Sequence, residues 1–235
     1  MTLNEIWQMS YDDYVQYLLK KYGPATKDYY YINKNGNLSK NKITRTSEGL
    51  ECHHIDEDKY ILLATLEEAK RHFETQKANR LCYADKIEHL LLHIKITTEN
   101  CYDYCGKKYC EMTEKEIEKF ENSERNLFGF GCGCRYIIGN INSLYQTPPD
   151  INTIANNSKW LCNMYNKIEN NFDAYIEILC RIMKIMIEAE DPKDYIFKII
   201  FATDNYYNSN IAPKKILEAF SKRLENYIEQ DFNFD

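Results

Sequence analysis

Apolar and polar positions follow two rhythms along this chain, and the change between them divides it. Over 6–21, Tyr11, Tyr14, Val15, Leu18 and Leu19 recur at helical spacing, which predicts an amphipathic helix. Gly23 and Pro24 end it. Residues 29–32 predict a strand, Asn35-Gly36 a hairpin turn, and 50–55 a second extended run. A helix is expected over 65–77, with Leu66, Ala69 and Phe73 on one side, and 81–83 reads as a very short strand. Asp85 has the place of an N-cap, with Glu88 three residues later to complete a capping box, and the helix it opens runs through Ile87, Leu90, Leu91 and Ile94.

Further on the rhythm becomes helical throughout. Residues 111–125 form a charged helix candidate, and 128–134 a glycine-punctuated loop. Pro148-Pro149 is the clearest break. Helices are expected at 154–170, 172–190 and 195–205, with a last one opened by Pro213. The expected fold class is therefore α+β, mostly α. A mixed part spans 1–147 and an all-helical part 148–235, both within ordinary domain sizes. The apolar face of Ile176, Leu179, Ile182, Met183 and Met186 is best read as core, although such a face could also form a homodimer or receive a partner protein.

The 235 residues are 44% hydrophobic, enough for a substantial core. The first 21 residues carry Glu5, Asp12 and Asp13 and no long apolar run, which predicts neither a signal nor a transit peptide. The most apolar stretch, 195–202, is too short for a membrane span and contains Lys198, so no membrane association is expected. Nine cysteines cannot all pair, and they read as reduced thiols of a cytoplasmic protein. Cys101, Cys105, Cys110, Cys132 and Cys134 contain no C-x-x-C spacing, which favours small buried residues over a structural zinc site. Cys52, Cys82, Cys162 and Cys180 have apolar neighbours and read as core.

A net charge of −6 does not advertise nucleic-acid binding, but the distribution is uneven. Over 20–45 the chain carries Lys20, Lys21, Lys27, Lys34, Lys40, Lys42 and Arg45 against Asp28 alone. The bland reading is a solvated loop. Its position just ahead of the histidines favours a phosphate-contacting arm, with Lys34, Lys40, Lys42 and Arg45 as candidate contacts.

All five histidines, His53, His54, His72, His89 and His93, lie in one short stretch. His89 and His93 are one helical turn apart, so both imidazoles can reach a single metal ion. His53 and His54 are adjacent on an extended run and point to opposite sides. One can face a metal while the other serves as a general base, since histidine titrates near neutrality.

The run Glu51, Cys52, His53, His54, Ile55, Asp56, then Asn79 to Tyr83, then Glu88 to Lys95 with its two histidines, resembles the HNH, or ββα-metal, endonucleases. It is similar in particular to HNH-type proteins of low-GC bacteria and their mobile elements. The resemblance implies a small ββα-metal core with flanking helices, and hydrolysis of phosphodiester bonds in DNA. It implies His54 as general base, His53, His89 and His93 as ligands of one divalent ion (Zn, Ni, Mn or Mg), and Asn79 as the residue bracing the base. Glu57 stands where the family often has proline, and Asn79 lies one residue farther from His89 than is commonest. Asp56, Glu57 and Asp58 are further oxygen donors in reach, though a solvated acidic turn is the plainer reading. Arg45, Lys59, Arg80 or Lys95 could supply positive charge near the phosphate. Restriction, phage defence and a mobile element all fit such an activity. Two other classes remain open: a catalytically silent scaffold binding a protein partner through its acidic helical half, and an RNA-cleaving toxin.

Overall fold

The computed structural model describes residues 1–43, 45–60, 62–100, 132–146, 159–188 and 213–231. The chain separates into two compact units, Met1–Cys134 and Arg135–Asp235, and the division falls inside a helix. Among the described residues, helices dominate and the strands form two small two-stranded sheets. The fold is thus α+β and mostly α. The expected boundary at 147–148 and the helices expected at 111–125 and 195–205 lie outside the described residues.

The single helix expected over 6–21 is two helices, α1 (Leu3–Gln8) and α2 (Tyr11–Tyr22). Met9 is extended, and the Ser10 hydroxyl accepts from the Asp13 amide at 3.1 Å, capping α2. The buried Lys95 ammonium donates to the carbonyls of Trp7 and Met9, two groups that a continuous helix would pair internally. The break therefore has a tertiary cause.

A hairpin follows: β1 (Tyr30–Ile32) pairs antiparallel with β2 (Leu38–Lys40). Gly36 takes φ +77° in its turn, where the Asn33 side chain accepts from the amides of Asn35 and Asn37. Next, β3 (Glu51–His54) pairs antiparallel with β4 (Leu81–Ala84), in the register His53 to Cys82 and His54 to Leu81. Between these strands lie a 3-10 turn over Ile55–Asp58, helix α3 (Leu66–Arg71), and 3-10 turns over Phe73–Gln76 and Ala78–Arg80. The helix expected over 65–77 thus stops six residues early. At His72 the backbone leaves the helical region (φ −125°, ψ 53°), and the tighter turn after it buries Thr75 and Gln76.

Helix α4 (Lys86–Asn100) leaves β4 directly. Its start is the expected capping box. The Asp85 carboxylate accepts from the amides of Ile87 and Glu88, and Glu88 accepts from the Asp85 amide at 2.9 Å. Such a cap stabilises a helix by about 1 kcal/mol. Helix α2 packs on both β4 and α4, and it runs antiparallel to α4 because both ends are tied. The Tyr11 amide donates to Glu99, while Lys21 and the Tyr22 hydroxyl donate to Glu88. Covered by α2, all four residues of β4 are buried. On the other side of the β3–β4 pair, Tyr29, Tyr30, Ile43, Leu50, Leu81 and Tyr83 form a compact apolar cluster.

Helix α5 (Cys132–Gln146) begins inside the segment expected to be a loop. In the second unit, α6 (Lys159–Asn170), α7 (Phe172–Glu188) and α8 (Lys214–Asp231) follow. Ile176, Leu179, Ile182 and Met183 on α7 are buried, as are Ile216 and Phe220 on α8, which packs against it. That face is core. Ion pairs from Lys215 to Glu169 and from Arg223 to Glu177 link α8 to α6 and α7. No helix among the described residues is long and apolar enough to cross a membrane. Cys52, Cys82, Cys134, Cys162 and Cys180 are free thiols, and all of these but Cys52 are buried. Cys101, Cys105 and Cys110 lie outside the described residues.

Candidate metal centre

Alternation along β3 sends Glu51 and His53 to one face of the strand and Cys52 and His54 to the other. The first face meets α4. There the His53 ring lies 5.1 Å from the ring of His89 and 5.2 Å from that of His93, centre to centre. One nitrogen from each of the three imidazoles falls within 4.8 Å of the others. His89 and His93 approach through Nε2 to Nε2 at 3.2 Å, as their one-turn spacing on α4 allows.

The hydrogen bonds around the cluster assign the tautomers of His53 and His89. The Tyr11 hydroxyl donates its only proton to the Ile55 carbonyl at 2.8 Å. Its oxygen, 2.9 Å from His53 Nε2, must then accept, so Nε2 carries the proton of His53 and Nδ1 carries a lone pair. That Nδ1 is buried and has no hydrogen-bond partner among the described residues. His89 Nδ1 donates to the Glu51 carboxylate at 2.9 Å, which leaves its Nε2 as an acceptor. Burial alone would raise the Glu51 carboxyl, but the bond from His89 and the Lys86 ammonium at 2.6 Å hold it at about 2, so it accepts at all ordinary pH. A carboxylate behind a ligating histidine is a common way to orient it toward a metal.

The electrostatics agree. Burial lowers His53 far below the ordinary histidine value, and it lowers His93 to about 3. Both are therefore neutral at pH 7, the form that binds a metal. A neutral, buried nitrogen without a partner, facing ring nitrogens of two more histidines, fits a divalent ion of the borderline class.

On the other face of β3, His54 is buried against the Tyr29 ring, 4.5 Å away, and the Lys40 ammonium stands over that ring at 4.3 Å from its centre. Gln76 orients His54. Its amide nitrogen donates to the Leu63 carbonyl and to Thr75, so its oxygen accepts from His54 Nε2 at 3.0 Å. Nδ1 of His54 is thereby the free acceptor. Burial lowers this histidine to about 4, with Lys40 adding to the effect.

Glu57, in the turn after β3, stands between the two faces. Its Oε2 is 3.5 Å from His53 Nδ1 and 3.5 Å from His93 Nε2, and its Oε1 is 3.9 Å from His54 Nδ1. Burial raises its carboxyl to about 8. The neighbouring Asp56 faces away and is bound by Arg80 through two nitrogens, which pins the turn to the segment leading into β4.

Gly133, at the start of α5, lies beside the cluster from a third side. A Cβ added to Gly133 would fall 2.6 Å from His93 Cε1 and 2.8 Å from its Cγ, too close for any real side chain. The Gly133 backbone thus approaches the imidazole closely.

The other expected site residues are placed differently. Asn79 is exposed beside an open cleft of about 400 Å³ shared with Asp56, Glu74, Thr75, Lys77 and Arg80, and Gln76 holds the position next to His54. Lys34, Lys40 and Lys42 are exposed on and after the β1–β2 hairpin. Arg45 is engaged by Glu48, by the Tyr22 carbonyl and by the face of Tyr83. Sequence reasoning passed over Tyr11, Glu51, Gln76 and Gly133. Only Glu51 left a signal: it lies two residues before His53, hence on the same strand face. Comparison of the chain with family models, with curated proteins and with solved structures gives no match.

Proposed function

We propose that this protein is a metal-dependent endonuclease of the HNH type, and that β3, β4 and α4 are its ββα-metal core. The observation that carries the reading is the convergence of three ring nitrogens, from His53, His89 and His93, beside a fourth histidine that is free to accept a proton. The chain order supports it: a strand ending in paired histidines, an antiparallel second strand, and a helix with two more.

His53, His89 and His93 hold the ion. When bound, a divalent cation supplies positive charge at the scissile phosphate and at the leaving oxygen. His54 takes a proton from the attacking water through Nδ1, because Gln76 holds its Nε2–H. It is neutral at pH 7 and so able to accept, and an incoming phosphate strengthens it as a base by favouring the charged form. Lys40, exposed above the Tyr29 ring that packs on His54, is placed to meet the phosphate backbone. Lys34 and Lys42 extend the same basic surface toward DNA.

The test is cleavage of supercoiled plasmid with Mn²⁺, Ni²⁺, Zn²⁺ or Mg²⁺ by the wild type and by His54→Ala. Metal-dependent cutting that disappears in the variant supports the reading. No cutting with any ion removes it in favour of a silent scaffold, and cutting of RNA alone moves the substrate class.

A further inference from the structure

We infer that Glu57 is a fourth protein ligand of the metal centre, so that the ion is held by three imidazoles and one carboxylate. This rests on reading the histidine cluster as a metal site, and it adds to that reading a ligand, a coordination number and a preference among ions.

Distances carry the inference. Ligand atoms bound at about 2.1 Å lie about 3.4 Å apart around a tetrahedral ion and about 3.0 Å apart at neighbouring positions of an octahedral one. Glu57 Oε2 is 3.5 Å from His53 Nδ1 and 3.5 Å from His93 Nε2, and His93 Nε2 is 3.2 Å from His89 Nε2. All three separations have about the length of an edge of a tetrahedral coordination polyhedron. The two from Glu57 are longer than good hydrogen bonds, which for N–H to O peak near about 2.9 Å.

Proton placement agrees. His53 Nδ1 carries a lone pair, because its proton is on Nε2 against Tyr11. His53 Nδ1 is also a buried atom without a hydrogen-bond partner among the described residues, and Glu57 Oε2 lies 3.5 Å from it.

The backbone explains why Glu57 and not Asp56 or Asp58 arrives there. The 3-10 turn Ile55–Asp58 follows β3 directly, and the carboxyl of its third residue lies 3.5 Å from His53 Nδ1. Asp56 is taken up by Arg80 and Lys59, and the Asp58 carboxylate lies 3.9 Å from the Lys59 ammonium.

One consequence concerns the choice of ion. Four protein ligands fill a tetrahedral zinc ion and leave no position for phosphate, as in structural zinc sites. Mn²⁺ and Ni²⁺ accept six ligands and keep two positions open. Zn²⁺ should therefore bind tightly and support cleavage poorly.

The experiment uses the full chain as wild type, Glu57→Gln, Glu57→Asp and the double variant His89→Ala, His93→Ala. Zn²⁺ affinity is measured by competition with a chromophoric chelator, and Co²⁺ serves as a visible absorption probe of coordination. Circular dichroism and thermal melting check the fold. Glu57→Gln should lose at least about tenfold in Zn²⁺ affinity, since even residues behind a ligand cost that much. It should also change the Co²⁺ spectrum while its fold is kept, and Glu57→Asp should fall between. Wild-type affinity and spectrum in Glu57→Gln, with binding abolished in the double histidine variant, would overturn the Glu57 ligand and leave the histidine site standing. No binding by the wild type would remove both.

Discussion

The Tyr11 hydroxyl lies 2.9 Å from His53 Nε2 and gives its own proton to the Ile55 carbonyl, so a residue at the start of α2 decides which nitrogen of a β3 histidine is free. The contact spans 42 residues of sequence. Tyr11 touches neither metal nor substrate in this arrangement. It positions His53, and its buried phenol, whose acidity burial suppresses, stays neutral at all working pH.

Tyr11→Phe should keep the fold and lose about tenfold or more in metal affinity, the usual cost of removing a partner behind a ligating histidine. The unpaired Ile55 carbonyl and His53 N–H should lower stability by about 1–3 kcal/mol. Calorimetric metal titration and urea unfolding measure the two effects separately. Unchanged metal affinity would show that the ring orientation of His53 is set by packing alone.

Gly133 offers an independent handle on His93. Gly133→Ala places a methyl group where the imidazole stands, so the ring must move. The expected outcome is weaker metal binding and slower cleavage with secondary structure retained. Retained affinity would mean that α5 yields instead of the histidine.

Gln76 and Asn79 separate two accounts of the base. Gln76→Leu frees His54 to rotate and should reduce cleavage by about tenfold or more, since a general base contributes about 10²–10⁴. Metal affinity should change little, because His54 is on the opposite strand face from the three ligands. Asn79→Ala, an exposed change beside the cleft, should have a small effect on both. The reverse order in a plasmid assay would restore Asn79 to the bracing role.

Acid should destabilise the metal-free protein. His53, His54 and His93 are all depressed by burial, the last two to about 4 and about 3. The unfolded chain takes up their protons below about pH 6.5 while the folded chain does not, so their contribution is present above that pH and is lost as pH falls. Glu57, raised to about 8 by burial, acts with the opposite sign, contributing below about pH 4.5 and losing that contribution as pH rises toward 8. Three groups outweigh one in acid. The urea midpoint should therefore fall between pH 6.5 and 5, and decline more gently from 7 to 8.5. A flat acid limb would mean the histidines are solvated.

The basic surface has a salt signature. Replacing Lys34, Lys40 and Lys42 together by Gln should weaken DNA binding without altering metal affinity. It should also reduce the slope of log K against log salt by up to about 3, near 0.9 for each lost phosphate contact. Arg45→Ala should instead lower stability, since its guanidinium is held by Glu48 and the Tyr22 carbonyl. An unchanged slope in the triple variant would place the DNA elsewhere.

What the amino-acid order determined by itself is local. The β1–β2 turn at Gly36, the capping box of Asp85 and Glu88, the strand holding His53 and His54, and the one-turn spacing of His89 and His93 all follow from interactions between residues within a few positions of one another. Periodicity and capping report such contacts directly. What only the tertiary structure decided is long-range. Lys95 splits the first helix by reaching back to Trp7 and Met9, Gln76 rather than Asn79 meets His54, and Gly133 lies against His93. Tyr11 sets the tautomer of His53 across the interface of α2 and β3, and a 3-10 turn carries Glu57 in among the histidines. None of these depends on a residue's own propensity. Each depends on which surfaces burial brings together, and that is settled only when α2, the β3–β4 pair and α4 pack as one body.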